Sequence, residues 1–135
     1  GIPTVDKTVS LPARQELFGN SIMLDGAHNE DGALALLKAL PDKKISAVIG
    51  MMKDKNYDAY LSLIAPKCSK IYAVTVNNSR SLSACELAET AKGYCGNVTV
   101  CENPHKALSL ARQDDCFVLV CGSFYLAREI RKDLM

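Results

Sequence analysis

Five short apolar runs rich in β-branched residues recur along this chain, at Ser21–Leu24, Ile45–Ile49, Ile71–Val76, Val98–Val100 and Cys116–Val120, with helical periodicity in every gap between them. Runs this short, lacking an alternating polar face, read as strands covered on both sides. The stretches near Asp31–Leu40, Tyr57–Ala65, Ser81–Tyr94 and Pro104–Arg112 carry apolar residues three and four apart, as does Phe124–Leu134 after the last run, which is the spacing of one helix face. Strand, helix, strand in repetition requires a mostly parallel sheet, because each crossover is right-handed and must lay its helix on a sheet face. The expected fold is therefore α/β, a Rossmann-like three-layer αβα arrangement. Ahead of the first parallel strand, Arg14–Phe18 has an extended pattern and Gly19-Asn20 is a tight-turn signal, which adds one antiparallel edge strand and makes the sheet six-stranded.

Helix punctuation agrees. Asn29 is placed to cap the first helix with Glu30 and Asp31 in its opening turn, Ser81 to cap the third, and Asn103 to cap the fourth ahead of Pro104. No repeat, low-complexity tract or linker divides the 135 residues, so residues 1–135 are expected to form one domain. Gly1 in place of Met, and ten opening residues without periodicity, suggest either a cleavage scar or an excised segment.

Composition narrows the function classes. A net charge of +1, from 16 Lys+Arg against 15 Asp+Glu, offers no broad field for nucleic acid or an anionic membrane. No apolar run approaches the roughly 18 residues that span a bilayer, and no basic segment leads into an apolar one, so a cytoplasmic, monomeric protein is expected. The six cysteines contain no CxxC, and four lie in apolar or strand-like surroundings, the pattern of small buried thiols. Only Cys101 and His105 have the short spacing of zinc ligands, and one pair does not make a site.

In an open parallel sheet, ligands bind where the strands' C-terminal ends run into helix N-termini. Four loops qualify. L-D-G-A-H-N at Leu24–Asn29 sets a carboxylate, Asp25, at a strand end and places His28 and Asn29 at a helix start; a carboxylate there can accept from a ribose diol, while turn and cap duties alone would equally suit Asp25 and Asn29. G-M-M-K-D-K-N gathers Lys53, Asp54 and Lys55 at the next strand end, where the cations can meet a phosphate or carboxylate or form a solvated charge run. C-G-S-F-Y-L turns Gly122 and Ser123 into a helix start, which suits an anion or a plain cap. Arg80-Ser81-Leu82 is the least distinctive. The chain has no G-x-x-x-x-G-K-[ST] phosphate loop, no G-x-G-x-x-G turn and no G-x-S-x-G nucleophile elbow.

Taken in order, these segments resemble the C-terminal domain of folylpolyglutamate synthases, within the Mur ligase superfamily. The likeness runs from L-P-A-R-Q-E at Leu11–Glu16, through L-D-G-A-H-N-E-D-G-A at Leu24–Ala33 and V-I-G-M-M-K-D-K at Val48–Lys55, to Arg80-Ser81-Leu82 and V-C-G-S-F-Y-L-A at Val120–Ala127. It departs from the family pattern at Ala13, commonly Gly, and at Ser79, often Pro. The resemblance implies an ATP-dependent carboxylate-amine ligase, a folylpolyglutamate synthase/dihydrofolate synthase that joins L-glutamate to a folate or dihydropteroate carboxylate through an acyl phosphate. It further implies ATP and Mg2+ as cofactors. The phosphate loop and most metal ligands would come from an N-terminal ATPase domain outside these residues, without which this segment is expected to be inactive. By the same resemblance Asp25, Arg14 and Asn29 are expected at ATP, His28 and Asp25 at the reaction centre, and His28, Ser123, Tyr125 and Lys55 at glutamate, with no metal ligand in this domain. Two alternatives stand beside it: a Mur-type ligase adding an amino acid to a cell-wall precursor, and a non-catalytic nucleotide-binding α/β module.

Overall fold

Three strands are buried along their whole length: β2 (Ile22–Asp25), β3 (Ile45–Ile49) and β6 (Phe117–Cys121). They lie side by side in the order β2, β6, β3 at the middle of one sheet in the computed structural model, which describes residues 15–135. β4 (Lys70–Ala73) and β5 (Val98–Val100) extend the sheet beyond β3, all in parallel register, and β1 (Glu16–Phe18) pairs antiparallel with the outer side of β2. The result is the expected six-stranded sheet with one antiparallel edge. β1 and β5, the two edges, are the strands with exposed residues, as the burial of only central parallel strands requires.

Alternate residues of the strands feed two cores. Met23, Ala47, Ile49, Leu119 and Cys121 meet α1 (Glu30–Ala39), α2 (Tyr57–Ile64) and α3 (Ala84–Lys92) on one face. Leu24, Val48, Val118 and Val120 meet α4 (Pro104–Gln113) and α5 (Phe124–Leu134) on the other. Each fully buried Leu or Ile contributes roughly 1.5–3 kcal/mol, and both layers contain several, among them Leu36 and Leu61 on the first face and Leu24 and Leu126 on the second. Polar ties close the N-terminal edge of the sheet. Asp114, which ends α4, accepts from buried Ser46 at 2.6 Å and from the Tyr72 hydroxyl at 2.9 Å. Burial, with help from that carboxylate, pushes the Tyr72 phenol up to about 12.

Helix starts follow the sequence at Asn29, Asn103 and Ser123, and the structure adds Asn56, which the sequence does not single out. Asn29, Asn56, Asn103 and Ser123 each accept a backbone N–H from two or three residues on, satisfying donors that a helix start otherwise leaves open. The third helix differs: Ser83, not Ser81, is its cap, accepting from the Glu86 N–H and donating to the Glu86 carboxylate. Ser81 is instead drawn back to the sheet, where its hydroxyl accepts from the Val76 N–H at 2.8 Å. β4 stops at Ala73 although the apolar run continues, because the register partners of Ala73, Ile49 and Val100, are the last residues of β3 and β5; Val74 still donates to the Ile49 carbonyl, and Val76 turns to the Ser81 hydroxyl, both staying buried against the second core. All six cysteines are free, with Cys68, Cys95, Cys101 and Cys121 buried. Among the described residues no helix is long and apolar enough to cross a membrane, and no three His, Cys, Asp or Glu side chains are grouped to hold a metal ion.

Candidate active site

β6 sits between β2 and β3, yet the helix after β6 leaves to one face and the helices after β2 and β3 to the other. This divergence opens a crevice at the C-terminal ends of the strands, the position where such sheets bind ligands. Two glycines close its floor. A Cβ on Gly26 would come within 2.9 Å of the Phe124 Cα, so the β2 and β6 loops touch only because that side chain is absent. Gly122 has φ +102°, where L side chains are strained, and a Cβ there would stand 2.6 Å from the Gly50 carbonyl oxygen.

Above that floor lies a concave space of about 400 Å³, bounded by Ala27, His28, Asn29, Asp31, Ala35 and Phe124. Asp25 is its buried support: only 1% exposed, it accepts from the Ala27 N–H at 2.8 Å and so folds the loop over the strand end. Asn29 is occupied as the α1 cap, accepting from the Gly32 N–H at 2.8 Å. His28 is different in kind. Its Nδ1 is shut away from solvent and has no hydrogen-bond partner among the described residues. Leaving such a nitrogen unmatched costs about 1–3 kcal/mol, and His28 as a residue lines the cavity at the opening of α1.

Behind the strand ends a buried polar pair supports the crevice. Cys121 is the register partner of both Asp25 and Ile49. Burial, with Asp25 adding to it, pushes the Cys121 thiol up to about 12, which makes it an inert packing group. Tyr60 of α2 is wholly buried against the same core, its hydroxyl without a partner of good hydrogen-bond geometry. Burial foremost, then the Cys121 thiol beside it, raises its phenol well above the ordinary value.

The structure gathers some of the sequence-derived residues and separates others. Asp25, His28 and Asn29 share the β2 loop, and Ser123 comes beside them through the Gly26–Phe124 contact. Ser123 is 1% exposed and its Oγ accepts from the Tyr125 and Leu126 N–H groups, so its acceptor side is spent on capping and only its hydroxyl proton is left to donate. Tyr125 does not line this cavity; it points into a second one on the α4–α5 side. Lys55 also stays out, on the β3 loop, where its N–H donates to the Met52 carbonyl and its carbonyl accepts from Tyr57. Arg14 lies outside the described residues.

Loop spacing pointed to His28 but missed Ala35 and Tyr60. Ala35 lies one helical turn beyond Asp31 and reads as ordinary amphipathic surface. Tyr60 sits on the apolar face of α2, where only its single hydroxyl marked it.

The family described as Mur ligase, glutamate ligase domain, matches residues 13–124. Folylpolyglutamate synthase of Lacticaseibacillus casei is 30% identical over 132 residues, which is 92% of this chain and 30% of that protein. Among solved structures, Escherichia coli FolC in complex with DHPP and ADP superposes with a TM-score of 0.81 at 29% identity, covering 92% of this chain and 31% of that one. A bifunctional folylpolyglutamate synthase/dihydrofolate synthase with Mn, AMPPNP and L-glutamate bound does so at 0.79 and 26% identity, over 98% and 36%. The chain thus spans about a third of the length of the proteins it matches.

Proposed function

This chain belongs to the Mur ligase family of glutamate ligase domains, and we propose that it is the glutamate-side domain of an ATP-dependent folylpolyglutamate synthase/dihydrofolate synthase. Its work would be to help join L-glutamate to a folate or dihydropteroate carboxylate. The observation that carries this reading is His28, which lines a concave space at the sheet's divergence point and keeps an enclosed, unpartnered Nδ1. Bound nucleotide and L-glutamate in relatives of the same fold support it.

In this reaction the terminal phosphoryl group of ATP passes to the pterin-linked carboxylate, giving ADP and an acyl phosphate. The glutamate amine then attacks the acyl carbon, the C–N bond forms, the C–O bond to phosphate breaks, and the amine loses a proton. There is little covalent work for protein groups, so positioning and fixed charge supply most of the rate. On this reading His28 faces the reacting groups and offers one ring nitrogen to the incoming glutamate, either donating to its carboxylate or accepting from its amine. Asp25 holds the β2 loop through the Ala27 N–H and lies toward the nucleotide ribose. Asn29 fixes the start of α1, and the Ser123 hydroxyl proton is available to a carboxylate. Lys55 serves from the neighbouring loop as a longer-range cation. Arg14 belongs to the nucleotide side by the family pattern alone.

Magnesium, when bound in such ligases, offsets phosphate charge. The described residues of this chain hold no cluster that fits it, and no step here passes through it. A phosphate loop is likewise missing from these 135 residues, so catalysis would need a partner ATPase domain in the same protein. We infer a cytoplasmic, monomeric enzyme, as the family resemblance implies.

The test is ATP-dependent ligation of labelled glutamate by the intact protein carrying this domain, offered dihydropteroate and tetrahydrofolate in parallel. Ligation to either supports the reading and tells synthase from polyglutamylating activity. No ligation to either pterin moves the assignment to a Mur-type ligase of another acid.

A further inference from the structure

Strand register puts Asp25, Cys121 and Ile49 on one rung across β2, β6 and β3, with neighbouring backbones roughly 4.8 Å apart. Alternation along the strands settles which way that rung faces. Met23 and Leu119, two residues before Asp25 and Cys121, lie in the first core, and Cys121 and Ile49 lie there with them. Asp25 therefore shares the sheet face that α2 covers. Tyr60 of α2 belongs to the same core and is 0% exposed. Its hydroxyl has the Cys121 thiol beside it and the Asp25 charge within electrostatic reach, yet no hydrogen bond of good geometry among the described residues.

A phenol needs a reason at such a place. Phenylalanine would fill the same space without an O–H to satisfy, and exchanging an unmatched buried polar group for an apolar one of the same shape is close to neutral or stabilising. Service to the carboxylate supplies the reason. Asp25 is 1% exposed, and burial disfavours a charged carboxylate unless hydrogen-bond donors and dipoles support it. The Ala27 N–H is one such donor. The Cys121 thiol, kept protonated by burial, has one S–H to give and a sulfur that accepts weakly. A hydroxyl directed at that sulfur polarises the S–H, and groups chained in this way strengthen one another in a low-dielectric interior.

We propose that Tyr60 is a positioning residue for Asp25, its hydroxyl acting through the Cys121 thiol to hold the carboxylate ionised and fixed at the strand end. No proton is exchanged, and phenol and thiol both stay protonated. The proposal rests on the folate-ligase reading, which sets Asp25 toward the nucleotide ribose.

The intact protein carrying Tyr60→Phe, compared with wild type at varied ATP and pH, tests this. The expected result is a KM for ATP raised about three- to ten-fold with kcat within about two-fold of wild type. The acid limb of kcat/KM should move to higher pH, because Asp25 loses support for its charged form. Cys121→Val, which removes the S–H at similar size, should move the limb the same way. Carbon NMR of carboxyl-labelled aspartate in the same proteins, with the Asp25 signal identified by its loss in Asp25→Asn, follows the titration without turnover, and its midpoint should rise in Tyr60→Phe. An Asp25 titration unmoved by Tyr60→Phe, or an acid limb unchanged in that variant, would overturn the proposal and leave the hydroxyl as packing. Wild-type ligation to dihydropteroate or tetrahydrofolate reports separately on the enzyme class, and the NMR titration is read whether or not ligation occurs, so the two readings fail apart.

Discussion

The β2 loop and the paired loops after β3 and β4 occupy the same edge of the sheet but solve opposite problems. Between the β3 and β4 loops, backbone hydrogen bonds and one ion pair knit the two segments together. Met52 bridges Ser81, the Lys53 N–H donates to the Arg80 carbonyl at 2.8 Å, the Leu82 N–H donates to the Met51 carbonyl at 2.8 Å, and Arg80 pairs with Asp54 at 2.8 Å. The β2 loop is also tightly built, on the Asp25–Ala27 bond and the Gly26–Phe124 approach, yet it encloses a histidine nitrogen with nothing to bond. A segment that satisfies itself is scaffolding. One that is rigid and leaves a polar atom unmatched has a ligand-shaped deficit, since folded proteins rarely tolerate such atoms without a reason.

This contrast can be broken at several points. The largest effect is expected at Gly122→Ala, where the positive φ and the 2.6 Å approach to Gly50 leave no room for a methyl group. A loss of about 3 kcal/mol or more is expected in urea unfolding. An unchanged midpoint would show that the loops do not depend on that contact. Next, Ser81→Ala should cost about 1–3 kcal/mol by stranding the Val76 N–H, a larger loss than removal of the sequence-predicted cap would produce if Ser81 served only to start α3. Far-UV and unfolding measurements on Ser81→Ala and Ser83→Ala together separate these two roles.

The smallest effect belongs to His105. Its hydrogen bond to Asp133, less than fully offset by desolvation and reinforced by Glu129, raises its pKa above the ordinary 6.5. Because the folded value is the higher one, its stabilising contribution is complete below pH ~6.5 and disappears as pH rises through the folded pKa. His105 is about half exposed, so screening holds the effect to roughly 0.5 kcal/mol or less. The stability gap between wild type and His105→Ala should therefore shrink from pH 5.5 to 8.5. A gap that grew with pH would reverse the assignment.

Much of the fold was legible because the apolar runs carry their own period. β3 and β5 match the expected bounds, the sheet has the antiparallel edge that Gly19-Asn20 announced, and α5 spans the stretch from Phe124 to Leu134. Boundaries failed where a side chain competed with the backbone. Ser81 looked like a cap by residue type, and only the folded chain shows it bonded to Val76 while Ser83 caps α3. The site divides along the same line. Asp25 and His28 were visible as polar residues at a strand end, whereas the separation of Tyr125 and Lys55 from the His28 cavity depends on which side of α5 a ring faces and how two loops knit. Local spacing does not encode either. Arg80 shows the converse, a loop arginine that read as a candidate contact and serves in the structure as a stitch to Asp54.

The most direct measurement compares kcat/KM for glutamate ligation by the intact enzyme with His28→Ala and with Arg80→Ala, both confirmed folded. The account predicts a loss on the order of 10²-fold or more for His28→Ala, and a change below about five-fold for Arg80→Ala, whose exposed ion pair is worth at most ~1 kcal/mol. A His28→Ala enzyme as active as wild type, or an Arg80→Ala enzyme damaged more than it, would contradict the claim that the β2 loop is the working site and its neighbours the frame.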